Sequence, residues 1–206
     1  MEAPPTFAFL PGASGRGDFW SPVAAHFDES TSLVLDWPGF GDVPADPRRN
    51  PRCYDDLATM VIDRLPGPSV LLGQSMGGVV ATMVANRRPD LVSHLVLAAT
   101  SGGVDLSVLG AMDWRPSSRA ANPANPAWMW DERPDLTATL SSLAVPVLLV
   151  WATDDSISPL SVGEYLNRLI PTSRLVVFDC DDHWVARIHA DAVTREIQAL
   201  LRTSQD

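Results

Sequence analysis

Gly73-Gln74-Ser75-Met76-Gly77 sets a hydroxyl among glycines, directly after the apolar run 69–73 and before a stretch with helical spacing. The five residues fit Gly-x-Ser-x-Gly, the pattern in which a serine on a sharp strand-to-helix turn is exposed as a nucleophile. Small neighbours are needed there because side chains would meet the following helix and the adjacent strand. Packing alone also accounts for Gly73, Gly77 and Gly78, so the chemistry of Ser75 depends on what else the chain brings to it. A serine hydroxyl is a weak nucleophile near neutral pH and needs a base, which a third group must orient.

Partners of the right kinds follow two later apolar runs. Thr153-Asp154-Asp155-Ser156-Ile157-Ser158-Pro159 comes after 145–152, and Cys180-Asp181-Asp182-His183-Trp184 comes after 174–179. Each cluster alone suits a turn cap or a solvated face; their joint placement supplies hydroxyl, carboxylate and imidazole in one order. Among the histidines, His183 is the expected base. His26 falls in an expected helix after the first run, His94 opens a strand at its amino end, and His189 stands near the start of the last helix. After the first run, Pro11-Gly12-Ala13-Ser14-Gly15 can present backbone N–H groups to a developing oxyanion. No metal is expected, because the neighbours Asp179 to His183 on one strand end cannot readily converge on one ion and no second cluster has zinc spacing. Cys180 is disfavoured as a nucleophile because it is expected to end a buried strand.

The elements that must carry these groups are legible as short β-rich runs at 6–10, 32–36, 69–73, 94–99, 145–152 and 174–179. They are continuously apolar rather than alternating, which suits parallel strands covered on both faces. Helical spacing of apolar residues at 54–65, 76–88, 160–170 and 189–202 separates them. The order is βαβα, an α/β fold, and in open parallel sheets ligands bind beyond the carboxyl ends of the strands, where all these groups fall. One segment, about 101–142, is dense in Pro, Asn and Trp and is expected to form a small cap. Trp114, Trp128 and Trp130 lie in it and Trp184 adjoins His183; they are expected either to line a pocket for an apolar acyl or aromatic group or to pack the cap onto the sheet.

The 206 residues are expected to form a single domain, 1–206, with 46% hydrophobic and 19% charged residues, a globular composition. A formal net charge of −10 argues against nucleic acid as a partner and gives no attraction to an anionic membrane surface. Cys53 and Cys180 do not make a disulfide framework. The N-terminal stretch lacks the pattern of a secretory signal and no run approaches a membrane span, so a cytoplasmic protein is expected.

Taken together, "FAFLPGASG", "LDWPGFGD", "LLGQSMGG", "VPVLLVWATDDSISP" and "DCDDHW" resemble, in order, an α/β-hydrolase-fold serine hydrolase over essentially the whole chain. The resemblance implies Ser75 as nucleophile, His183 as base and Asp155 as acid. Asp155 is favoured over Asp154 because Ala152, Asp155 and Pro159 align with the family's Gly-x-x-Asp-x-x-x-Pro. It also implies an oxyanion hole from the backbone of Ala13 and Met76, no cofactor, and six parallel strands in the order 2-1-3-4-5-6. Pro11-Gly12 stands where the family usually has His-Gly, and the family's two opening antiparallel strands are expected to be absent. The activity implied is cleavage of a small carboxylic ester or acyl substrate through an acyl-enzyme. A thioesterase, a carbon–carbon bond hydrolase and a lyase similar to the menaquinone-pathway synthase would use the same residues. A receptor of this fold that binds without turnover is the alternative outside enzymology.

Overall fold

The computed structural model describes residues 5–107 and 109–203. The first four residues of the stretch read for targeting, the last three of the 1–206 span and Val108 of the cap lie outside the described residues. Six strands, β1 (Thr6–Leu10), β2 (Ser32–Val34), β3 (Ser69–Gln74), β4 (Val92–Ala98), β5 (Val147–Ala152) and β6 (Ser173–Phe178), form one sheet. Their order is β2-β1-β3-β4-β5-β6, and every neighbouring pair is parallel, as the continuous apolar runs imply. The register pairs Leu10 with Gly73, Gln74 with Ala98 and Ala152 with Phe178, which aligns the carboxyl ends at one edge.

Successive strand residues feed opposite faces. Leu71, Leu95, Leu97 and Leu149 pack on one side against helices α2 (Tyr54–Ile62), α3 (Met76–Arg87) and α7 (Leu160–Leu169). Phe9, Leu72, Val96 and Leu148 pack on the other against α1 (Ser21–Ala24), α8 (Val185–Ile188) and α9 (Ala190–Thr203). Helix, sheet and helix thus make three layers.

Small departures from the expected boundaries have local causes. β5 begins at Val147 because Pro146 has no N–H to give to the ladder, although its carbonyl still accepts from Leu95 at 3.0 Å. β2 ends early because Asp36 turns to accept the Gly17 N–H at 2.7 Å. The cap holds more helix than its weak periodicity implies: α4 (Arg115–Ala121), α5 (Trp128–Asp131) and α6 (Thr137–Ser141). Pro123 and Pro126 stand between the first two of these and Pro134 between the last two, which keeps each short. Asn125, buried, accepts the Gly41 N–H at 2.7 Å and ties the cap to the loop after β2. Among the described residues no helix is long and apolar enough to cross a membrane.

Candidate active site

Ser75 stands between β3 and α3 with φ 51° and ψ −117°, a left-handed backbone that a residue with a Cβ adopts only at a cost. The turn is held on both sides. The Ser75 N–H donates to the Ala98 carbonyl at 3.0 Å, and the Ser75 carbonyl accepts the Thr100 hydroxyl at 2.6 Å and the Gly78 N–H at 3.0 Å. Gly77 is fixed by space: a Cβ there would lie 2.4 Å from the Leu10 carbonyl oxygen and 2.5 Å from that of Pro11. Both are backbone atoms at the end of β1 and cannot swing aside. Gly77→Ala is therefore expected to destabilise the fold by about 3 kcal/mol, seen as a lowered denaturant midpoint at unchanged slope.

Beyond β5 and β6, His183 Nδ1 lies 2.6 Å from Asp155 Oδ2. Asp155 is 1% exposed, and its Oδ1 accepts the Ile157 N–H at 2.8 Å. Burial pushes its pKa up, but the hydrogen bond and charge of His183, with the backbone amides of Ser158 and Ile157, outweigh burial and hold the carboxyl below its usual range. Asp154 is exposed and joins only through its backbone, donating to the Cys180 carbonyl at 3.1 Å. The remaining histidines are engaged elsewhere. His26 pairs with Asp191 at 3.0 Å, His94 meets the Ser93 hydroxyl at 3.1 Å with its pKa lowered by burial, and His189 stacks on Phe178. Among the described residues, no hydrogen bond links Ser75 to His183. Cys180 lies two residues past β6 and half-buried rather than at the end of a buried strand, and its sulfur accepts the Asp182 N–H at 3.4 Å.

The loop after β1 is anchored by two indoles that sequence reasoning missed. Trp20 Nε1–H donates to the Leu10 carbonyl at 2.9 Å and Trp37 Nε1–H to the Pro11 carbonyl at 3.0 Å. Both rings are fully buried, so they hold this loop where the family's usual histidine is lacking. The Gly15 N–H closes the turn onto the Gly12 carbonyl at 3.1 Å. Outside the regular elements, none of the described hydrogen bonds uses the N–H of Ala13 or of Met76. Trp37 falls within "LDWPGFGD", but neither that stretch nor the one around Trp20 reports where the indole N–H points.

A cavity of about 520 Å³ lies between α3 and the cap, with Val79, one turn beyond Ser75, and Ser101, beside Thr100, in its lining. Of the four tryptophans considered for the pocket, only Trp114 lines this cavity. Trp128 packs edge-on against Phe40 and Tyr54 and donates to the Pro51 carbonyl at 3.0 Å. Trp130 is buried in the cap, with the Arg119 guanidinium over its ring. Trp184 is 52% exposed and leans on Phe19. Trp128 and Trp130 thus pack within the cap and against the loop after β2 and α2. Tyr54, which also lines the cavity, is buried, and burial raises its phenol to about 12, so it stays neutral.

Known proteins agree with this architecture. The pimeloyl-[acyl-carrier protein] methyl ester esterase of Neisseria meningitidis serogroup A is 30% identical over 203 residues, covering 77% of this chain, which spans 64% of that relative's length. A 2-hydroxy-6-oxononadienedioate/2-hydroxy-6-oxononatrienedioate hydrolase from a Pseudomonas species is 25% identical over 228 residues, covering 88% of this chain and 81% of its own. The solved esterase from Exiguobacterium antarcticum shares the fold at a TM-score of 0.78 and 17% identity, over 98% of this chain and 93% of that one. Residues 7–197 match the alpha/beta hydrolase family, and the chain belongs to it.

Proposed function

We propose that this chain hydrolyses a carboxylic ester through an acyl-enzyme on Ser75. The observation that carries the reading is a strained, half-buried Ser75 directly after one parallel strand together with a His183–Asp155 couple in the loops after two others. Ser75 Oγ attacks the acyl carbon while its proton passes to His183 Nε2, the ring nitrogen not engaged by Asp155. The amides of Ala13 and Met76 receive the oxyanion. The alcohol leaves with the proton from His183, and water, deprotonated by the same imidazole, releases the acid and restores the hydroxyl.

The Neisseria relative is named for a methyl ester, which makes methyl esters of medium-length acyl chains the first substrates to test. Incubation with p-nitrophenyl butyrate and with a fluorophosphonate probe is expected to give turnover and a single labelled peptide containing Ser75. Absence of both overturns the reading. Running thioester and vinylogous carbon–carbon substrates beside the esters ranks the chemistries that share this machinery.

A further inference from the structure

Among the described residues, Ser75 and Ala99 alone combine a side chain with positive φ, at 51° and 45°. They follow the paired ends of neighbouring strands, where Gln74 of β3 lies beside Ala98 of β4. The strain at Ser75 serves the nucleophile. Ala99 has only a buried methyl, and its N–H is spent on the Val150 carbonyl at 3.1 Å. What its turn delivers is the next residue. Thr100 is fully buried, and its hydroxyl donates to the Ser75 carbonyl at 2.6 Å while accepting the Gly102 N–H at 3.0 Å. A carbonyl can only accept, so the hydroxyl proton lies on the Ser75 side. The seat for this side chain is built in. Gly78 lies in α3 without positive φ, and a Cβ there would come 2.6 Å from Thr100 Oγ1 and 2.7 Å from its Cβ and Cγ2.

We infer that Thr100 is a positioning residue for the oxyanion hole, acting through the Ser75–Met76 peptide rather than by touching substrate. The inference rests on the esterase reading. The carbonyl that Thr100 binds and the Met76 N–H proposed to receive the oxyanion belong to one planar peptide unit, so fixing the first aims the second. Donors on the oxygen also draw electron density from the nitrogen, and the N–H becomes a stronger donor. Two donors act in concert here, because the Gly78 N–H meets the same carbonyl at 3.0 Å. Met76 opens α3, so its N–H has no carbonyl of its own helix to reach and is left for the oxyanion. The gain falls on the tetrahedral state, where the charge develops, and not on the bound ester. Thr100 thus acts on kcat and leaves KM alone.

Thr100→Val keeps the shape and removes the donor. Its kcat for p-nitrophenyl butyrate is expected to fall about tenfold at unchanged KM, less than the loss of a whole oxyanion donor would cost. Thr100→Ser, which keeps the hydroxyl, is expected to recover most of that loss, and Thr100→Ala replaces the valine variant if it does not fold. An alkyl trifluoromethyl ketone supplies a readout that a misplaced serine would not move. Ser75 Oγ adds to its carbonyl carbon, the hydroxyl proton passes to His183, and the former ketone oxygen becomes the oxyanion of a hemiketal. Fluorine NMR follows protonation of that oxygen as pH falls. With a weaker Met76 N–H the midpoint is expected about one pH unit higher in Thr100→Val, the same tenfold read as an equilibrium, and at the wild-type value in Thr100→Ser. Unchanged kcat in the valine or alanine variant, a lowered kcat with an unmoved midpoint, or a serine variant as impaired as valine overturns the inference while wild-type turnover leaves the esterase reading standing. Wild-type protein that neither hydrolyses the ester nor forms the hemiketal would remove that reading and the inference with it.

Discussion

Ser75→Ala is expected to lower kcat/KM for any ester substrate by at least about ten-thousand-fold while leaving the thermal midpoint within a degree or two of wild type. The hydroxyl is the only group deleted. No described hydrogen bond uses it, whereas the backbone bonds to Ala98, Thr100 and Gly78 hold the turn and survive the change. Loss of activity with retained stability therefore isolates the nucleophile from the scaffold. The companion Ser75→Gly separates a second effect. Glycine takes φ 51° without steric cost, so it should be as inactive as alanine yet more stable, by about 1 kcal/mol. Stability of that size stored at one turn would show that the fold holds the serine in a costly geometry because the chemistry requires it. If Ser75→Ala keeps a substantial part of the turnover, the acyl-enzyme on this residue is refuted.

The placement of these groups was legible for a physical reason. Parallel strands buried on both faces must be continuously apolar, so their ends are marked where polarity returns, and Ser75, Asp155 and His183 each follow such a mark. The strand order followed from family resemblance rather than from the pattern, because the pattern says which segments are strands and not which are neighbours. The cap was the least readable part. Trp114, Trp128 and Trp130 have one side-chain type and three fates, namely cavity wall, brace on the loop after β2, and buried core of the cap. Which fate each meets depends on contacts with Phe40, Tyr54 and Arg119, all remote in sequence or on another turn. Trp20 and Trp37 were missed for a related reason. Their function is an indole N–H aimed at a carbonyl of β1 or its loop, and nothing in local spacing reports that aim.

Asp155→Asn should cost nearly as much as loss of the nucleophile, about a thousand- to ten-thousand-fold in kcat, although the two side chains have the same shape. The reason lies in which oxygen is already committed. Oδ1 must remain an acceptor, because the half-buried Ile157 donates its N–H to it at 2.8 Å. The amide nitrogen of the variant is then forced into the place of Oδ2, facing His183 Nδ1 across 2.6 Å. A donor at that place holds Nδ1 unprotonated and puts the imidazole proton on Nε2, the nitrogen that must accept from Ser75. The base is thereby disabled without any displacement. A stability signature accompanies the kinetic one. The Asp155 carboxyl titrates below its usual range in the folded chain, so its ionised form contributes stability above about pH 4, the unfolded value, and that contribution fades as pH falls through the folded value. The variant lacks this titration, so thermal midpoints of the two proteins, followed from pH 7 down to pH 3, should show the smaller acid-side decline in the variant. Asp154→Asn is the control on the neighbouring carboxylate, which is exposed and makes no side-chain contact with His183. It should retain full activity, and the reverse outcome, with Asp154→Asn inactive and Asp155→Asn active, would transfer the orienting role to Asp154.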